Sequence, residues 1–554
     1  MTDYFDLGTY SRSISTDSTE AELWFNRGLI WCYGFNQDEA IRCFNKTIRH
    51  DPECPMGYWG IALANGPFYN KPWEWYGDDE RVEAISVCHH YASEAKARIE
   101  KASPLEAALI RAIVCKHPES SADSCQTLNR WMQEYADSMR GIYLQFSVDL
   151  DVLCLTVEAL INLTPWRLWD FHNSRPAESS STEEAMLILE KAVTMMNHPE
   201  QPLHPGLIHF YIHVYEMSPW PEKALNQANK LRQLVPDCGH LVHMASHIDS
   251  LCGDWQSALN SNIDAIEVDL KYFTHRGTQG FYLIAALHNY EFKMWAAMFL
   301  GLEAQSQEAV DGLHALLTVD LFKGKARYLA STLEGSYSGF VHVMVRFGQW
   351  QAICDYTMPK DPSIFLVTTI LLHYAKAIAF ATLKQPTQAE QNQLRFKELL
   401  TQFPRWHLIH NNPTIDILIV AEAMMDGEVN YHLGNYDAAF EQLNLANQRH
   451  DNLVYCEPWA WMHPPRHALG ALLLEQDRPA EAILHYEDDL GISDRLPRCV
   501  QHSNNIWALH GYHECLLKLG RKEDAEHVKP QLDLLLQQSD IVINSSCCCR
   551  LSVQ

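Results

Sequence analysis

Two pairs of histidines stand out in the sequence because each has the spacing of one helical turn. His209 and His213 form one HxxxH pair, His243 and His247 form another, and the second follows the first after 34 residues. Side chains four residues apart share a helix face, with Cβ atoms about 5–6 Å apart. Each pair can therefore hold one metal ion, and the regular spacing predicts that both pairs face the same volume.

Three further residues extend this pattern. Glu216 lies on the helical stripe of His209, His240 lies one turn before His243, and His288 follows in a later helical segment. We expect Glu216 to be a fifth ligand or a general base, and His240 and His288 to be ligands or proton shuttles. The alternative for the whole set is a pH-sensitive groove that binds an anionic ligand or a peptide.

Imidazole ligands without thiolate suit several transition metals, among them iron, copper and zinc. Two histidines with Glu216 would match a 2-His-1-carboxylate iron site, and two HxxxH pairs with a later histidine match the ligand count of a coupled copper site. Three ligands and an open position would equally hold a zinc ion that activates water. The sequence contains no HExxH, GxSxG or Walker A motif, so zincin, serine hydrolase and NTPase chemistry lack support.

A second group of candidate residues lies near the C-terminus and is predicted to bind substrate: Trp459, His463, Arg466 and His467. Arg466 can clamp a carboxylate or phosphate, and Trp459 can stack on a ring. The alternative is that these residues serve core packing and solvated charge.

The elements that must position these residues are helices. Amphipathic helical stretches recur along the chain, and strand signals are nearly absent, which predicts an all-α fold. The small, bulky and aromatic residues that define a 34-residue tetratricopeptide (TPR) helix pair occur in register at Trp24, Gly28, Trp31, Ala40, Phe44, Thr47 and Pro52. We therefore predict a TPR-like α-solenoid, a right-handed superhelix of helical hairpins in which both histidine pairs face the concave groove.

The predicted organisation is an N-terminal segment (residues 1–20), one continuous solenoid (residues 21–535) and a C-terminal tail (residues 536–554) that carries Cys547, Cys548 and Cys549. The formal net charge of −26 disfavours binding to nucleic acid, because an acidic surface repels phosphates. No stretch is typical of a signal peptide or a membrane span, and the cysteines are mostly single, as in a reducing compartment. We expect a cytoplasmic protein.

Several motifs resemble a bacterial and fungal family of TPR proteins, most of them of undefined function. They include residues 208–213 (IHFYIH), 239–244 (GHLVHM), 246–248 (SHI), 35–41 (FNQDEAI) and 165–170 (PWRLWD). The resemblance runs from about residue 24 to residue 534. The family pattern HxxYIHxxE…GHLVHMxxHI is matched by His209, His213, Glu216, His240, His243 and His247. Fungal relatives are often associated with small-molecule biosynthesis, so the resemblance favours an enzyme.

The sequence thus predicts a metal-dependent enzyme that acts on a small organic molecule. Oxidative chemistry at iron or copper is the favoured reaction class, and zinc-dependent hydrolysis or elimination is the alternative. A different class remains as an alternative: a TPR scaffold that binds a partner peptide in its groove.

Overall fold

The computed structural model describes residues 4–278, 280–322 and 327–551. In these residues the β-strands form two short antiparallel pairs, and one further isolated bridge joins Phe68 to Lys71. The two pairs join β1 (Trp169–Asp170) to β2 (Arg175–Pro176), and β3 (Leu408–Ile409) to β4 (Asn412–Pro413). The rest of the regular structure is helical, so the all-α prediction is confirmed.

The described chain divides into two compact units. The first comprises residues 1–248 and 264–286, and the second residues 249–263 and 287–554, so the divisions fall within helices α12, α13 and α14. The prediction of one continuous solenoid over residues 21–535 stays a prediction. The helices, in chain order, are α1 (Thr19–Tyr33), α2 (Gln37–His50), α3 (Pro55–Asn65), α4 (Asp78–Ala97), α5 (Pro104–Lys116), α6 (Cys125–Gln145), α7 (Leu150–Ile161), α8 (Thr182–Met196), α9 (Pro205–Tyr215), α10 (Leu225–Leu231), α11 (Gly239–His243), α12 (Ala245–Leu251), α13 (Trp255–Arg276), α14 (Tyr282–Leu300), α15 (Glu303–Leu316), α16 (Val319–Phe322), α17 (Arg327–Ser338), α18 (Phe340–Arg346), α19 (Trp350–Asp355), α20 (Leu366–Thr382), α21 (Pro386–Gln402), α22 (Thr414–His432), α23 (Tyr436–Asp451), α24 (Pro465–Glu475), α25 (Pro479–Asp489), α26 (Ile506–Lys518) and α27 (Lys522–Gln538).

The first helix pair has the packing that defines a TPR hairpin. The side chain of Ser18 caps the N-terminus of α1, the side chain of Asn36 caps α2, and α2 ends two residues before Pro52. A Cβ atom on Gly28 would lie 2.6 Å from the ring of Phe44, so only glycine allows the two helices to approach this closely.

The same small-against-bulky contact recurs in the second unit. A Cβ on Gly427 of α22 would meet Leu443 of α23 at 2.6 Å, and a Cβ on Gly470 of α24 would meet Tyr486 of α25 at 2.4 Å. Gly511 of α26 makes the same approach to Tyr486 from the next helix. The repeated contact confirms a TPR-like, all-α fold of stacked helical hairpins.

Both ends of the chain are held by polar contacts. In the N-terminal segment, Tyr10 and Arg12 each donate to Asp151 of α7 at 2.8 Å. In the C-terminal tail, the carbonyl of Ser546 accepts from Arg346 of α18 at 2.6 Å, and Arg550 pairs with Glu514 of α26 at 2.8 Å. These contacts fix the tail on the second unit, and a disulfide joins Cys547 to Cys549.

Among the described helices, none combines the length and the apolar character that a membrane-spanning helix requires.

Candidate metal centre

Helix α9 carries the first histidine pair in the interior of the first unit. The imidazole of His204 caps the helix by accepting from the backbone N–H of Leu207 at 3.1 Å, and Pro205 occupies the first turn. His209 and His213 follow one turn apart, and Glu216 comes directly after the helix end. Both imidazoles and the carboxylate are fully buried.

Helices α11 and α12 carry the second set. His240 and His243 lie on α11, and His247 lies on α12. Gly239 begins α11, and a Cβ there would overlap a carboxylate oxygen of Asp269 on α13, so glycine is required for this helix start to reach its place. All three imidazoles are at most 2% exposed.

Three Nε2 atoms converge on one volume. The Nε2 of His209 is 3.0 Å from the Nε2 of His213 and 3.1 Å from the Nε2 of His240. One ring nitrogen from each of the three lies within 4.8 Å of the other two. Three buried nitrogens from two helices thus form one candidate ligand set.

The opposite ring nitrogens fix which tautomer two of these histidines adopt. The Nδ1 of His209 is 2.7 Å from the carbonyl oxygen of Tyr33, and the Nδ1 of His213 is 3.0 Å from Oε1 of Glu216. A carbonyl and a carboxylate only accept, so each Nδ1 carries the hydrogen and each Nε2 presents a lone pair. Two lone pairs 3.0 Å apart repel, and a cation between them would remove that repulsion.

Charge on the imidazoles does not relieve this repulsion. Burial, reinforced by the neighbouring imidazoles, lowers the pKa of His209, His213 and His240 well below 6.5. The three rings are therefore neutral at pH 7, which is the state that a metal ligand needs. Hydrogen bonds from Nδ1 to carbonyl and carboxylate oxygens are the arrangement that orients histidine ligands in metal sites.

The second pair repeats this geometry. The Nε2 atoms of His243 and His247 are 2.7 Å apart, and the Nδ1 of His247 donates to Oε2 of Glu216 at 2.8 Å. The Nδ1 of His243 is 3.2 Å from the hydroxyl oxygen of Ser246, whose own hydrogen goes to the carbonyl of His243. The structure therefore brings the four predicted metal ligands and Glu216 together in one buried centre. His213, Glu216 and His247 also offer three ligand atoms within 4.8 Å.

Phe35 separates this centre from a cavity of about 220 Å³ in the same unit. Its ring centroid is 4.4 Å from His209 and 5.1 Å from His240, and it lies nearly parallel to the ring of His213. Phe35 has φ = +56°, a conformation that is uncommon for a side chain of this size. The other residues that line the cavity include Asp38, Phe68, Lys71, Tyr76, Glu80 and Phe281.

His288 lies in the second unit, on α14, where its Nδ1 is 4.0 Å from Oε2 of Glu291. Its predicted role as a ligand or proton shuttle stays a prediction.

The four residues predicted to bind substrate are buried in the second unit, and three of them form hydrogen bonds there. Arg466 donates to both carboxylate oxygens of Asp451 at 3.0 and 2.8 Å, and the indole of Trp459 donates to the carbonyl of His450 at 3.1 Å. Asp451 therefore occupies one edge of the guanidinium that was expected to clamp a ligand.

The two histidines of that group differ in their contacts. The Nδ1 of His467 is 3.0 Å from Arg346, and its Nε2 is 2.7 Å from Asp489. The ring of His463 lies 5.2 Å from that of His342, and burial lowers the pKa of His463 well below 6.5. Whether these residues touch a substrate stays a prediction.

Three residues of the centre were not identified from the sequence: Tyr33, Phe35 and Ser246. Tyr33 contributes only a backbone carbonyl, for which the sequence has no signal. Phe35 and Ser246 lie within two of the motifs that carry the family resemblance, residues 35–41 and 246–248. Those motifs are therefore the sequence signal from which Phe35 and Ser246 could have been identified as residues of the centre.

No protein-family model matches the chain, and no curated protein sequence matches it. Among solved structures, the Cut9–Hcn1 hetero-tetramer of the APC/C is 15% identical, covers 90% of this chain and 76% of that chain, and has a TM-score of 0.32. Yeast Tom70 is 12% identical, covers 94% of this chain and 99% of that chain, and has a TM-score of 0.28. At these TM-scores, neither structure bears on what this chain binds.

Proposed function

We propose that this protein is a TPR-type helical-repeat protein that holds a transition-metal ion between His209, His213 and His240. The observation that carries the proposal is the convergence of three Nε2 atoms on neutral rings, two of which are oriented through Nδ1, His209 by the carbonyl of Tyr33 and His213 by Glu216. A ligand set of imidazoles without thiolate suits copper, iron or zinc.

We further propose that the ion is catalytic and acts on a small organic molecule. Structural zinc sites usually have four protein ligands, often including thiolates, whereas catalytic sites use three and leave a position open. The set here has three imidazoles, and the cavity behind Phe35 would give a small substrate a place next to it. Oxidative chemistry at copper or iron is the favoured reaction class, and hydrolysis or elimination at zinc is the alternative.

A scaffold that binds a protein partner is the second candidate function. The stacked TPR-type hairpins favour it, because such arrays offer extended surfaces to partners. The complete burial of the imidazoles also fits an ion that only stabilises the fold. In this case the first unit would lose stability without the ion, and no small molecule would reach the metal.

Elemental analysis of the chain purified without chelator tests metal binding. At least one equivalent of a transition metal per chain is expected, and the double variant His209→Ala/His240→Ala should lose it while the helical circular-dichroism signal remains. The matched control is His198→Ala, an exposed histidine before α9, which should keep the metal. Metal-free wild-type protein, or full metal content in the double variant, would overturn the proposal.

Azide binding to the cobalt(II)-loaded protein separates the enzyme from the scaffold. An ion with an open position binds azide, which shifts the visible absorption of cobalt. A spectrum that stays unchanged at saturating azide, together with a large fall in melting temperature on chelation, would favour the scaffold.

A further inference from the structure

We propose that the cavity behind Phe35 binds a small amine, with the ammonium group of the ligand beside Asp38 and its apolar body on aromatic rings. The inference rests on the proposed function, because it names the class of substrate that would be held next to the metal centre. Phe35 connects the two sites, since its ring lines the cavity and packs against the imidazoles of His209 and His240.

The cavity runs from an acidic rim to an aromatic floor within the first unit. Glu80 and Glu83 of α4 are exposed, whereas Phe35, Phe68 and Tyr76 are at most 7% exposed. The volume of about 220 Å³ is smaller than the roughly 300–1,000 Å³ of sites for drug-sized ligands. A ligand of this site is therefore small, passes carboxylates at the rim and then meets ring surfaces.

The charges around the cavity favour a cation. Among the described residues that line it, Asp38, Glu80 and Glu83 carry carboxylates, and Lys71 carries the one positive charge. Three carboxylates against one ammonium leave a net charge of −2. Such a wall attracts an ammonium ion and repels a ligand that carries a carboxylate or phosphate.

Asp38 is the carboxylate placed to pair with the ligand. It lies in the first turn of α2, is partly buried, and accepts from the backbone N–H of Phe281. Burial raises the pKa of Asp38 above its ordinary value, although Arg42 and Lys71 act in the opposite direction. The neighbouring cations thus compensate the buried charge only in part, and an ammonium in the cavity would complete the compensation.

Lys71 shows how an ammonium is held in this wall. Its Nζ lies 4.1 Å from the ring centroid of Tyr76 and 4.8 Å from that of Phe281, and it donates to Glu80. Lys71 is only 9% exposed, so a carboxylate and two aromatic rings are sufficient to hold a nearly buried ammonium here. Asp38 and the remaining rings offer the same combination of groups to a ligand.

Isothermal titration calorimetry on the full-length chain as purified tests the inference with three probes of similar shape. Phenethylamine should bind, whereas the neutral phenethyl alcohol and the anionic hydrocinnamate should bind more weakly by about tenfold or more. At pH 7 an alkylamine is protonated, as lysine is, so it does not bind as a metal ligand.

Two variants test the position of the ammonium. Asp38→Asn should weaken phenethylamine binding about tenfold to hundredfold, because a charged acceptor is lost. Asp79→Asn, an exposed aspartate in the first turn of α4, is the matched control and should bind as the wild type. Glu83→Lys changes an exposed rim residue, so the fold should be kept, and phenethylamine binding should weaken about threefold to tenfold.

The outcomes separate this inference from the function on which it rests. Equal binding of the three probes, or unchanged affinity in both Asp38→Asn and Glu83→Lys, would overturn the amine class. A chain that retains its metal but binds none of the probes would overturn the inference and leave metal binding intact. Selective phenethylamine binding by a chain without metal would overturn the proposed function and support the amine site. If Asp38→Asn fails to fold, Glu83→Lys and the comparison of the probes decide the matter.

Discussion

In the first unit, His209, His213, His243 and His247 turn their Nε2 atoms toward other imidazoles, at 3.0 Å and 2.7 Å within the pairs. In the second unit, His467 and His502 point a ring nitrogen at the carboxylate of Asp489, at 2.7 and 2.9 Å. The histidines of both groups are at most 3% exposed. The two groups differ in what faces these ring nitrogens, which is another imidazole in the first unit and a carboxylate in the second.

That difference distinguishes a candidate metal site in the first unit from a hydrogen-bond network around Asp489 in the second. In the second unit, donor meets acceptor: the Nδ1 of His467 accepts from Arg346, its Nε2 donates to Asp489, and Asn505 donates to the same carboxylate at 2.9 Å. In the first unit, the Nε2 atoms of His209 and His213 meet as two acceptors 3.0 Å apart, and a cation between them would remove their repulsion. Burial and histidine content alone do not distinguish the two, whereas the tautomers do.

The largest effect on stability is expected from breaking the network of the second unit. Asp489→Ala leaves the N–H groups of His467 and His502 buried without their acceptor, so the free energy of unfolding should fall by about 3–5 kcal/mol. Urea titration followed by circular dichroism measures this change. Asp494→Ala, an exposed aspartate in the loop after α25, should change it by less than about 0.5 kcal/mol. Metal content per folded chain should not change, and a loss of metal would end the distinction between the two regions.

An intermediate effect is expected from the carboxylate of the first unit. Glu216→Gln keeps the size of the side chain but removes the charge that orients His213 and His247. Metal affinity should fall about tenfold to hundredfold, which is about 1.4–2.7 kcal/mol. Metal-free stability should also fall, by about 1–3 kcal/mol, because the amide nitrogen of the glutamine would face one of the two buried Nδ1–H groups. Competition with a chromogenic chelator measures the affinity.

The matched control for this variant is Glu222→Gln, an exposed glutamate six residues later. Its affinity for metal should equal that of the wild type. An unchanged affinity in Glu216→Gln would mean that the carboxylate does not orient the ligands.

The helix-pair pattern and the spacing of the histidines were sufficient to predict the fold class and to predict that His209, His213, His243 and His247 lie together. Gly28 and Phe44 illustrate why: a small residue and a ring at fixed positions determine how closely two helices pack, wherever the pair occurs. The one-turn spacing of His209 and His213 likewise determines that both rings leave the same helix face.

Contacts between distant parts of the chain were not predictable. Tyr33 lies 176 residues before His209, and its carbonyl orients that ring by position alone. Arg466 and Asp451 are 15 residues apart on different helices, so no spacing in the sequence indicated that they form an ion pair. The histidines were expected to face a concave groove, yet they are buried, with Phe35 packed against three of the rings.

The smallest effect is expected from a single neutral histidine of the second unit, and it appears only in acid. His342 on α18 is buried, and burial lowers its pKa to about 4. The unfolded chain takes up the proton near pH 6.5, so the stability that depends on a neutral His342 is intact above that pH and falls as the pH decreases toward 4. Between pH 7.5 and 5.0 the loss from this residue should be about 2 kcal/mol.

His342→Phe should abolish this part of the acid sensitivity, because phenylalanine fills a similar volume and cannot take up a proton. Urea titrations of metal-free protein at pH 7.5 and 5.0 should therefore show a smaller difference for the variant than for the wild type, by about 2 kcal/mol. Trp461→Phe is the control, since its ring packs 4.7 Å from that of His342 and does not titrate, so any loss should be equal at both pH values. An unchanged pH difference in His342→Phe would mean that His342 is already charged in the folded protein. The second unit would then hold an additional cation, and its histidines would no longer contrast with the neutral rings of His209, His213 and His240.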